Sequence, residues 1–172
     1  MASVLVAYAT KYGSTREVAD AIAAQLSARG VDAVARPAGE VRSLDGYSAV
    51  VLGTALYFFH WRGEAHRLLR RNRKALSELP VAVFGLGPIE DTPEQFEGAR
   101  EHLARGLAKH SWLSPASSAV FGGKLDPEHL RFPDNNPAVR AMSPIDLRDF
   151  DAIRSWADSL LDALDLGPQA AS

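Results

Sequence analysis

The sequence SVLVAYATKYGST occupies residues 3–15, close to the start of the chain. Ser3 to Tyr8 form a continuous apolar run of strand length, which is typical of a central strand that helices cover on both faces. After the polar turn from Thr10 to Thr15, apolar residues recur with the spacing of a helix. Ser14 or Thr15 is available as the N-cap of this helix. A strand, a polar turn and a helix in this order predict an α/β protein.

The rest of the chain continues this alternation of apolar strands and amphipathic helices. Thr92-Pro93-Glu94-Gln95 is typical of a helix start, with an N-cap, a first-turn proline and a capping-box glutamine. The last helix begins near Asp149 or Asp151. We expect a single domain over residues 1–167 and a frayed tail at 168–172. Further strands are predicted at residues 31–36, 49–53, 80–85 and 117–121, and helices at 14–29, 63–76, 92–107 and 149–164.

A long connection, residues 122–145, separates the last predicted strand from the last helix. It contains four prolines and two adjacent asparagines, which do not support a long regular element. Connections beyond about 12 to 15 residues without structure of their own tend to be functional or mobile in a compact domain. We interpret this segment as an insertion with two alternative roles: a substrate or partner element, or a surface excursion without a role.

Composition and charge exclude several classes of protein. Nineteen Lys and Arg against 21 Asp and Glu leave a formal charge of −2, so no strong field indicates a nucleic-acid partner. No apolar segment approaches the ~18 residues of a membrane span, and no basic segment precedes an apolar core at the start. The absence of cysteine excludes thiolate nucleophiles and thiolate metal sites. These observations favour a cytoplasmic protein with at most peripheral membrane contact.

The turn Thr10-Lys11-Tyr12-Gly13-Ser14-Thr15 follows the first strand, where an α/β sheet binds phosphate. Unpaired backbone N–H groups and the positive end of the helix dipole favour an anion there, and short hydroxyl side chains add donors. The ATP-binding spacing GxxxxGK[ST] is absent, and no GxGxxG follows the strand. The turn therefore predicts a site for a mononucleotide rather than for ATP or a dinucleotide.

Two more loops follow predicted strands. Gly85-Leu86-Gly87-Pro88-Ile89-Glu90 begins like a dinucleotide fingerprint, but it lacks the third glycine, so we interpret it as a cofactor-flanking loop. Residues 57–61 are Tyr-Phe-Phe-His-Trp. Tyr57 or Trp61 would stack on a planar ring such as a flavin, whereas Phe58 and Phe59 are expected to pack in the core.

Together these residues resemble the flavodoxin-like family over nearly the whole chain. The turn TKYGST is similar to that family's FMN phosphate loop, and the loops from Gly53 and Gly85 lie where its isoalloxazine-flanking loops lie. The resemblance implies a doubly wound five-stranded parallel sheet of order 2-1-3-4-5 with helices on both faces, and FMN as the cofactor. The FMN-binding residues that it implies are Thr10, Lys11, Tyr12, Gly13, Ser14, Thr15, Thr54, Ala55, Leu56, Tyr57, Trp61, Gly85, Leu86, Gly87, Pro88 and Ile89.

Within the family, the last section of the chain is most similar to the menaquinone-linked protoporphyrinogen oxidases. This similarity lies in the segment 121–126 (FGGKLD), the long insertion and the start of the last helix. It implies an FMN-dependent oxidoreductase that takes two electrons from a reduced organic substrate, for example a porphyrinogen, and passes them to a quinone. Two departures stand out. Tyr12 replaces a compact threonine of the phosphate loop, and GLGPIED lacks the aromatic that many members stack on the flavin.

Two other functions stay open. A flavodoxin-type electron carrier would serve a redox partner protein, although a charge of −2 steers partners weakly. A cofactor-free descendant would be a partner-binding scaffold. The sequence identifies no acid–base residue, and it offers His60, Lys124, Asp126 and Arg131 as substrate contacts. The five histidines lack the spacing of a metal site, and the oligomeric state, monomer or homodimer, is open.

Overall fold

The computed structural model describes residues 2–57 and 60–167, with the side chain of Tyr57 outside this description. The expected core packing of Phe58 and Phe59, the stacking of Tyr57 and the frayed tail at 168–172 therefore lie outside the described part of the molecule.

A parallel sheet forms the centre of the molecule. Its strands are β1 (Ser3–Ala9), β2 (Asp32–Pro37), β3 (Ala49–Tyr57), the short β4 (His60–Trp61), β5 (Val81–Leu86) and β6 (Ser117–Phe121). The five long strands are parallel in the order β2-β1-β3-β5-β6, and β4 pairs antiparallel with the end of β3. Without β4 this is the order 2-1-3-4-5, so the predicted fold is confirmed.

Helices cover both faces of this sheet. They are α1 (Ser14–Ala28), α2 (Gly63–Arg71), α3 (Arg73–Leu76) and α4 (Pro93–Ala108), and, after the short α5 (Pro137–Arg140) of the insertion, α6 (Phe150–Ala163). The prediction of one helix over 63–76 is wrong, because Asn72 divides it into α2 and α3. Asn72 leaves the helical conformation, with φ at −111° and ψ at 22°. Its N–H and its Nδ2 both donate to the Leu68 carbonyl, at 3.1 Å and 3.0 Å.

The predicted helix starts at Thr92 and Asp149 are confirmed. Thr92 Oγ1 accepts a hydrogen bond from the Gln95 N–H at 3.2 Å, and Asp149 Oδ1 accepts one from the Ala152 N–H at 3.1 Å. Each cap satisfies a backbone donor that the helix itself leaves unpaired. Within residues 2–57 and 60–167, no helix is both long enough and apolar enough to cross a bilayer.

The core has two halves, one on each face of the sheet. Alternate residues of β1 point to opposite faces, so Val4 and Val6 pack on α1 and α6, whereas Leu5 and Ala7 pack on the α2 and α4 side. These four side chains are fully buried. Because both faces are covered, the carboxyl ends of β1, β3 and β5 are left as the edge where loops form a site.

The insertion is an ordered unit. Its first residues, β7 (Lys124–Leu125), pair antiparallel with β8 (Ile145–Asp146), so it closes one residue beyond the predicted boundary. Its base is fixed to the loop after β5, because the Gly123 N–H donates to the Pro88 carbonyl at 2.6 Å and the Leu147 N–H donates to the Gly123 carbonyl at 2.9 Å. The insertion therefore begins beside the predicted cofactor-flanking loop.

Candidate functional site

A cavity of about 400 Å³ lies at the carboxyl ends of β1, β3 and β5. Three loops predicted from the sequence meet there, and the insertion forms the opposite wall. The predicted residues on the cavity wall are Lys11, Tyr12, Ser14, Ala55, Leu56, Leu86, Gly87 and Ile89. The insertion contributes the apolar residues Leu125, Leu130, Val139 and Met142 and the charged residues Lys124, Asp126 and Asp134.

The phosphate loop differs from its prediction in one respect. Gly13, with φ at 90°, is the N-cap of α1, so the predicted N-caps Ser14 and Thr15 lie inside the first helical turn. A glycine adopts this left-handed conformation without strain. The first ladder bond runs from the Glu17 N–H to the Gly13 carbonyl at 3.3 Å. The N–H groups of the preceding helical residues have no partner within the helix and form the end that favours an anion.

Thr15 supplies an observation that fits a phosphate group. Its side chain is 0% exposed, and Thr15 Oγ1 has no hydrogen-bond partner in the described part of the chain. A buried unsatisfied hydroxyl is destabilising by about 1 to 3 kcal/mol, so such groups are rare unless a ligand completes them. With the open N–H groups of the first turn, Thr15 provides the donors that a phosphate accepts, and the loop fits FMN.

The insertion contacts the phosphate loop through Asp134, a residue that sequence analysis missed. Its carboxylate is 4% exposed and accepts hydrogen bonds from Lys11 Nζ and Tyr12 Oη. The Arg131 N–H also donates to Tyr12 Oη at 3.4 Å. The side chains of Lys11 and Tyr12 are thus both directed to the insertion.

A second contact fixes the carboxyl-terminal end of the insertion. The side chain of Arg148 is 4% exposed and donates to the Ser14 carbonyl at 3.2 Å, to Glu17 Oε2 at 3.0 Å and to Asp146 Oδ2 at 2.8 Å. Hydrogen bonds from Arg148 lower the pKa of the Asp146 carboxyl. Arg148 therefore joins the insertion to the first turn of α1, beside the phosphate loop.

The other predicted FMN-binding residues lie behind or beside this wall. Thr10 Oγ1 accepts a hydrogen bond from the Gly13 N–H at 3.0 Å. The buried Thr54 accepts one from the Arg62 N–H at 3.1 Å, directly after β4. Gly85 lies within β5, and Pro88 lines a neighbouring cavity rather than this one.

Trp61 is not brought to this cavity. It stacks on His66, with ring centroids 5.1 Å apart, and lines a separate cavity together with His60. Of the predicted substrate contacts, Lys124 and Asp126 are on the wall of the main cavity, where Asp126 Oδ2 lies 2.7 Å from His129 Nδ1. The sequence therefore predicted the aromatic cluster, but not the direction that its last member takes.

Sequence reasoning also missed a pair of histidines. His66 Nδ1 lies 2.8 Å from His110 Nε2, and the rings stack with centroids 5.0 Å apart. Burial, followed by the charges of His110, Lys109 and Arg70, lowers the pKa of His66 to about 4. The pair is therefore neutral at pH 7. Within residues 2–57 and 60–167, no three His, Asp or Glu side chains form a group that could hold a metal ion.

The architecture defines a class of protein. A doubly wound parallel sheet with a phosphate loop after β1, and two further loops beside it, is an α/β protein that binds a mononucleotide at the carboxyl ends of its strands. The family model of the flavodoxin domain matches residues 5–142, and the chain belongs to this FMN-binding family.

Relatives and solved structures agree with this membership. The chain is 24% identical over 132 residues to the protoporphyrinogen IX dehydrogenase (quinone) of Escherichia coli K12. The aligned residues cover 76% of this chain and 73% of that protein. Oxidised flavodoxin 2 from Bacillus cereus is 21% identical, with a TM-score of 0.60 over 94% of this chain and 99% of that chain. A variant of the flavodoxin from Pseudomonas aeruginosa is 18% identical, with a TM-score of 0.61 over 95% and 99%. These structures share the fold.

Proposed function

We propose that the protein is an FMN-dependent oxidoreductase that oxidises a reduced organic substrate in two-electron steps and reduces a quinone. The observation that carries this proposal is the apolar wall of the insertion, with Leu125, Leu130, Val139 and Met142 facing the loops after β3 and β5 across the cavity. A small-molecule substrate needs such a wall, since binding sites are concave and mostly apolar. An electron carrier needs an open flavin edge instead.

Residues of this chain would hold FMN by the groups already described. FMN, when bound, supplies the redox chemistry by taking up electrons from one molecule and releasing them to another. Thr15 Oγ1 and the open N–H groups of the first turn of α1 would bind the phosphate. Ala55 and Leu56 would border the ring on one side, and Leu86 and Gly87 on the other.

The charged part of the insertion would position the substrate. Lys124 lies on the cavity wall and offers an ammonium group as a hydrogen-bond donor to a polar group of the substrate. His129 and Asp126 lie beside it, and the carboxylate holds the imidazole at 2.7 Å. Each two-electron step removes two hydrogens from the substrate, so an imidazole that can hold a proton at this wall has a use in the reaction.

Protoporphyrinogen is the first substrate to test, because the E. coli relative is named for its oxidation with a quinone. The experiment titrates the apoprotein with FMN, riboflavin and FAD, then mixes the FMN-loaded protein with protoporphyrinogen and menadione without oxygen. We expect porphyrin fluorescence to rise only with FMN and menadione present, with one quinol formed per two-electron step. Tight FMN binding without oxidation of the substrate would indicate an electron carrier.

A matched pair of variants tests the role of the insertion wall. Met142→Lys places a charge on the wall of the cavity, and Ala141→Lys places the same charge on the exposed neighbouring residue. We expect Met142→Lys to raise the KM for the organic substrate at least about tenfold, because an apolar ligand that covers this wall would have to strip water from the ammonium group. The Kd for FMN should not change in either variant. Equal KM values for the two variants would contradict the proposed position of the substrate.

A further inference from the structure

One face of α4 connects the FMN cavity to a second, basic pocket. Gln95 lines the FMN cavity and also a neighbouring cavity of about 410 Å³, which continues along α4 to His102. His102 lines a third cavity of about 340 Å³, which extends to Arg105 and Lys109. Residues spaced by three and four positions share one helix face. The three cavities therefore lie in a row along this face of α4, and the row is here called the α4 groove (residues 95, 98, 99, 102, 105, 106 and 109).

The charge changes sign along the α4 groove. Glu90 and Glu94 line its middle cavity, whereas Arg105 and Lys109 line its far end. Arg105 Nη2 lies 3.9 Å from Glu101 Oε2, and both side chains are largely exposed, so this ion pair binds the guanidinium weakly. In the described part of the chain, no carboxylate lies within 4.0 Å of Lys109 Nζ. The far end is therefore an electropositive pocket that can accept an anion.

Trp61 forms part of the wall of this far pocket. It is 6% exposed and lines the pocket, and its Nε1 has no hydrogen-bond partner in the described residues. The indole lies directly on Gly106, where a Cβ atom would be 2.1 Å from Nε1. Gly106 is also a residue of the pocket wall. Trp61 and Gly106 thus form the wall of the pocket opposite its solvent-exposed cations.

We infer that the α4 groove binds an elongated organic carboxylate, with its carboxylate at Arg105 and Lys109 and its body along α4 toward the FMN cavity. At 1.5 Å per residue, the rise from Gln95 to Arg105 is about 15 Å, so a ligand of about that length reaches both ends. Glu90 and Glu94 repel a carboxylate at the near end and fix its direction. The inference rests on the proposed function in one respect, since it takes this carboxylate to be the substrate of that oxidoreductase.

Calorimetric titration of the FMN-loaded protein with dodecanoate tests the site without turnover. The variant carries Arg105→Gln and Lys109→Gln, and the matched control carries Arg100→Gln, an exposed charge of α4 outside the groove. We expect the double variant to bind dodecanoate about tenfold more weakly or worse, because hydrogen bonds to charged groups contribute that much. The control should bind as the wild type does, and acetate, which is too short, should bind measurably to none. Equal dodecanoate affinities in all three proteins would overturn the inference.

Turnover separates this inference from the proposed function. If the double variant loses dodecanoate binding while no substrate is oxidised by the wild type, the α4 groove is a carboxylate site and the proposed function fails. If substrate is oxidised with the same KM by the double variant and the wild type, the proposed function holds and the inference is overturned. The Kd for FMN should be the same in all three proteins, because neither charge lies on the FMN cavity.

Discussion

Replacing Thr15 with valine should stabilise the apoprotein and weaken FMN binding at the same time. The hydroxyl is fully buried and has no partner in the described part of the chain. Valine keeps the shape of the side chain and removes only the unsatisfied group, whose burial is unfavourable by about 1 to 3 kcal/mol. The free energy of unfolding of the apoprotein should therefore rise by about 1 kcal/mol, whereas most substitutions of buried residues lower it.

The effect on FMN has the opposite sign. If Thr15 Oγ1 donates to the phosphate, its loss should weaken FMN binding by about 1 to 3 kcal/mol, which is roughly 5-fold to 150-fold in Kd. Riboflavin has the same ring and no phosphate, so its Kd should not change. The ratio of the two dissociation constants thus isolates the phosphate contact from any general change in the protein.

Quenching of flavin fluorescence measures both dissociation constants, and urea unfolding of the apoprotein measures the stability. Ser27→Ala, at the exposed opposite end of α1, is the control for loss of a helix hydroxyl. An unchanged Kd for FMN would refute the placement of the phosphate at this loop. Equal weakening of FMN and riboflavin would refute it too, because the variant would then act on the ring or on the fold.

Three further predictions concern the insertion, the packing of α4 and the histidine pair. Asp134→Asn removes the carboxylate that holds the insertion on the phosphate loop, so limited proteolysis should cut the insertion faster. Because a negative charge is lost beside the phosphate loop, the anionic FMN should bind more tightly at low salt, and weaker FMN binding would contradict this. Gly106→Ala should lower the melting temperature, because the new methyl group would lie 2.1 Å from Trp61 Nε1 and such overpacking is unfavourable by about 1 to 3 kcal/mol. A higher melting temperature would contradict the packing of Trp61 on Gly106. Burial, and then the charge of His110, lowers the pKa of His66 from 6.5 to about 4. Between these pH values the unfolded chain binds a proton that the folded protein does not, so the free energy of unfolding decreases as the pH falls from 6.5 to about 4. After allowance for solvent screening the loss is about 1 to 2 kcal/mol, and a His66→Gln variant with the same slope of stability against pH would contradict it.

Much of the fold follows from local sequence patterns. The apolar runs at 3–8, 49–53 and 80–85 form buried parallel strands, since a strand that is covered on both faces needs apolar residues throughout. The N-cap at Thr92 was also predicted, because the Gln95 N–H that it accepts lies only three residues further along the chain. The division of the helix at Asn72 was missed, since nothing in the spacing of the apolar residues changes there.

The site was predicted where it depends on one loop and missed where it depends on contacts distant in sequence. The phosphate loop is contiguous, so its hydroxyls and glycine could be recognised together. Asp134 lies 123 residues from Lys11, and His66 lies 44 residues from His110, and no local pattern links either pair. The length of the insertion indicated a substrate or partner element or a surface excursion, but not its contact with the phosphate loop. The direction of Trp61 depends on the antiparallel pairing of β4 with β3, which was also absent from the prediction.

One departure of this sequence from its family, the tyrosine at position 12, has a physical consequence in the structure. A threonine at position 12 would offer the phosphate a compact hydroxyl, whereas Tyr12 carries its hydroxyl to Asp134 in the insertion. The chain thus gives up one donor to FMN and gains a contact that holds a wall over the cavity. An electron carrier would lose by this exchange, since its flavin edge must meet a protein partner. A protein that binds a small molecule gains, because the same contact fixes the side chains of the insertion that would face the substrate.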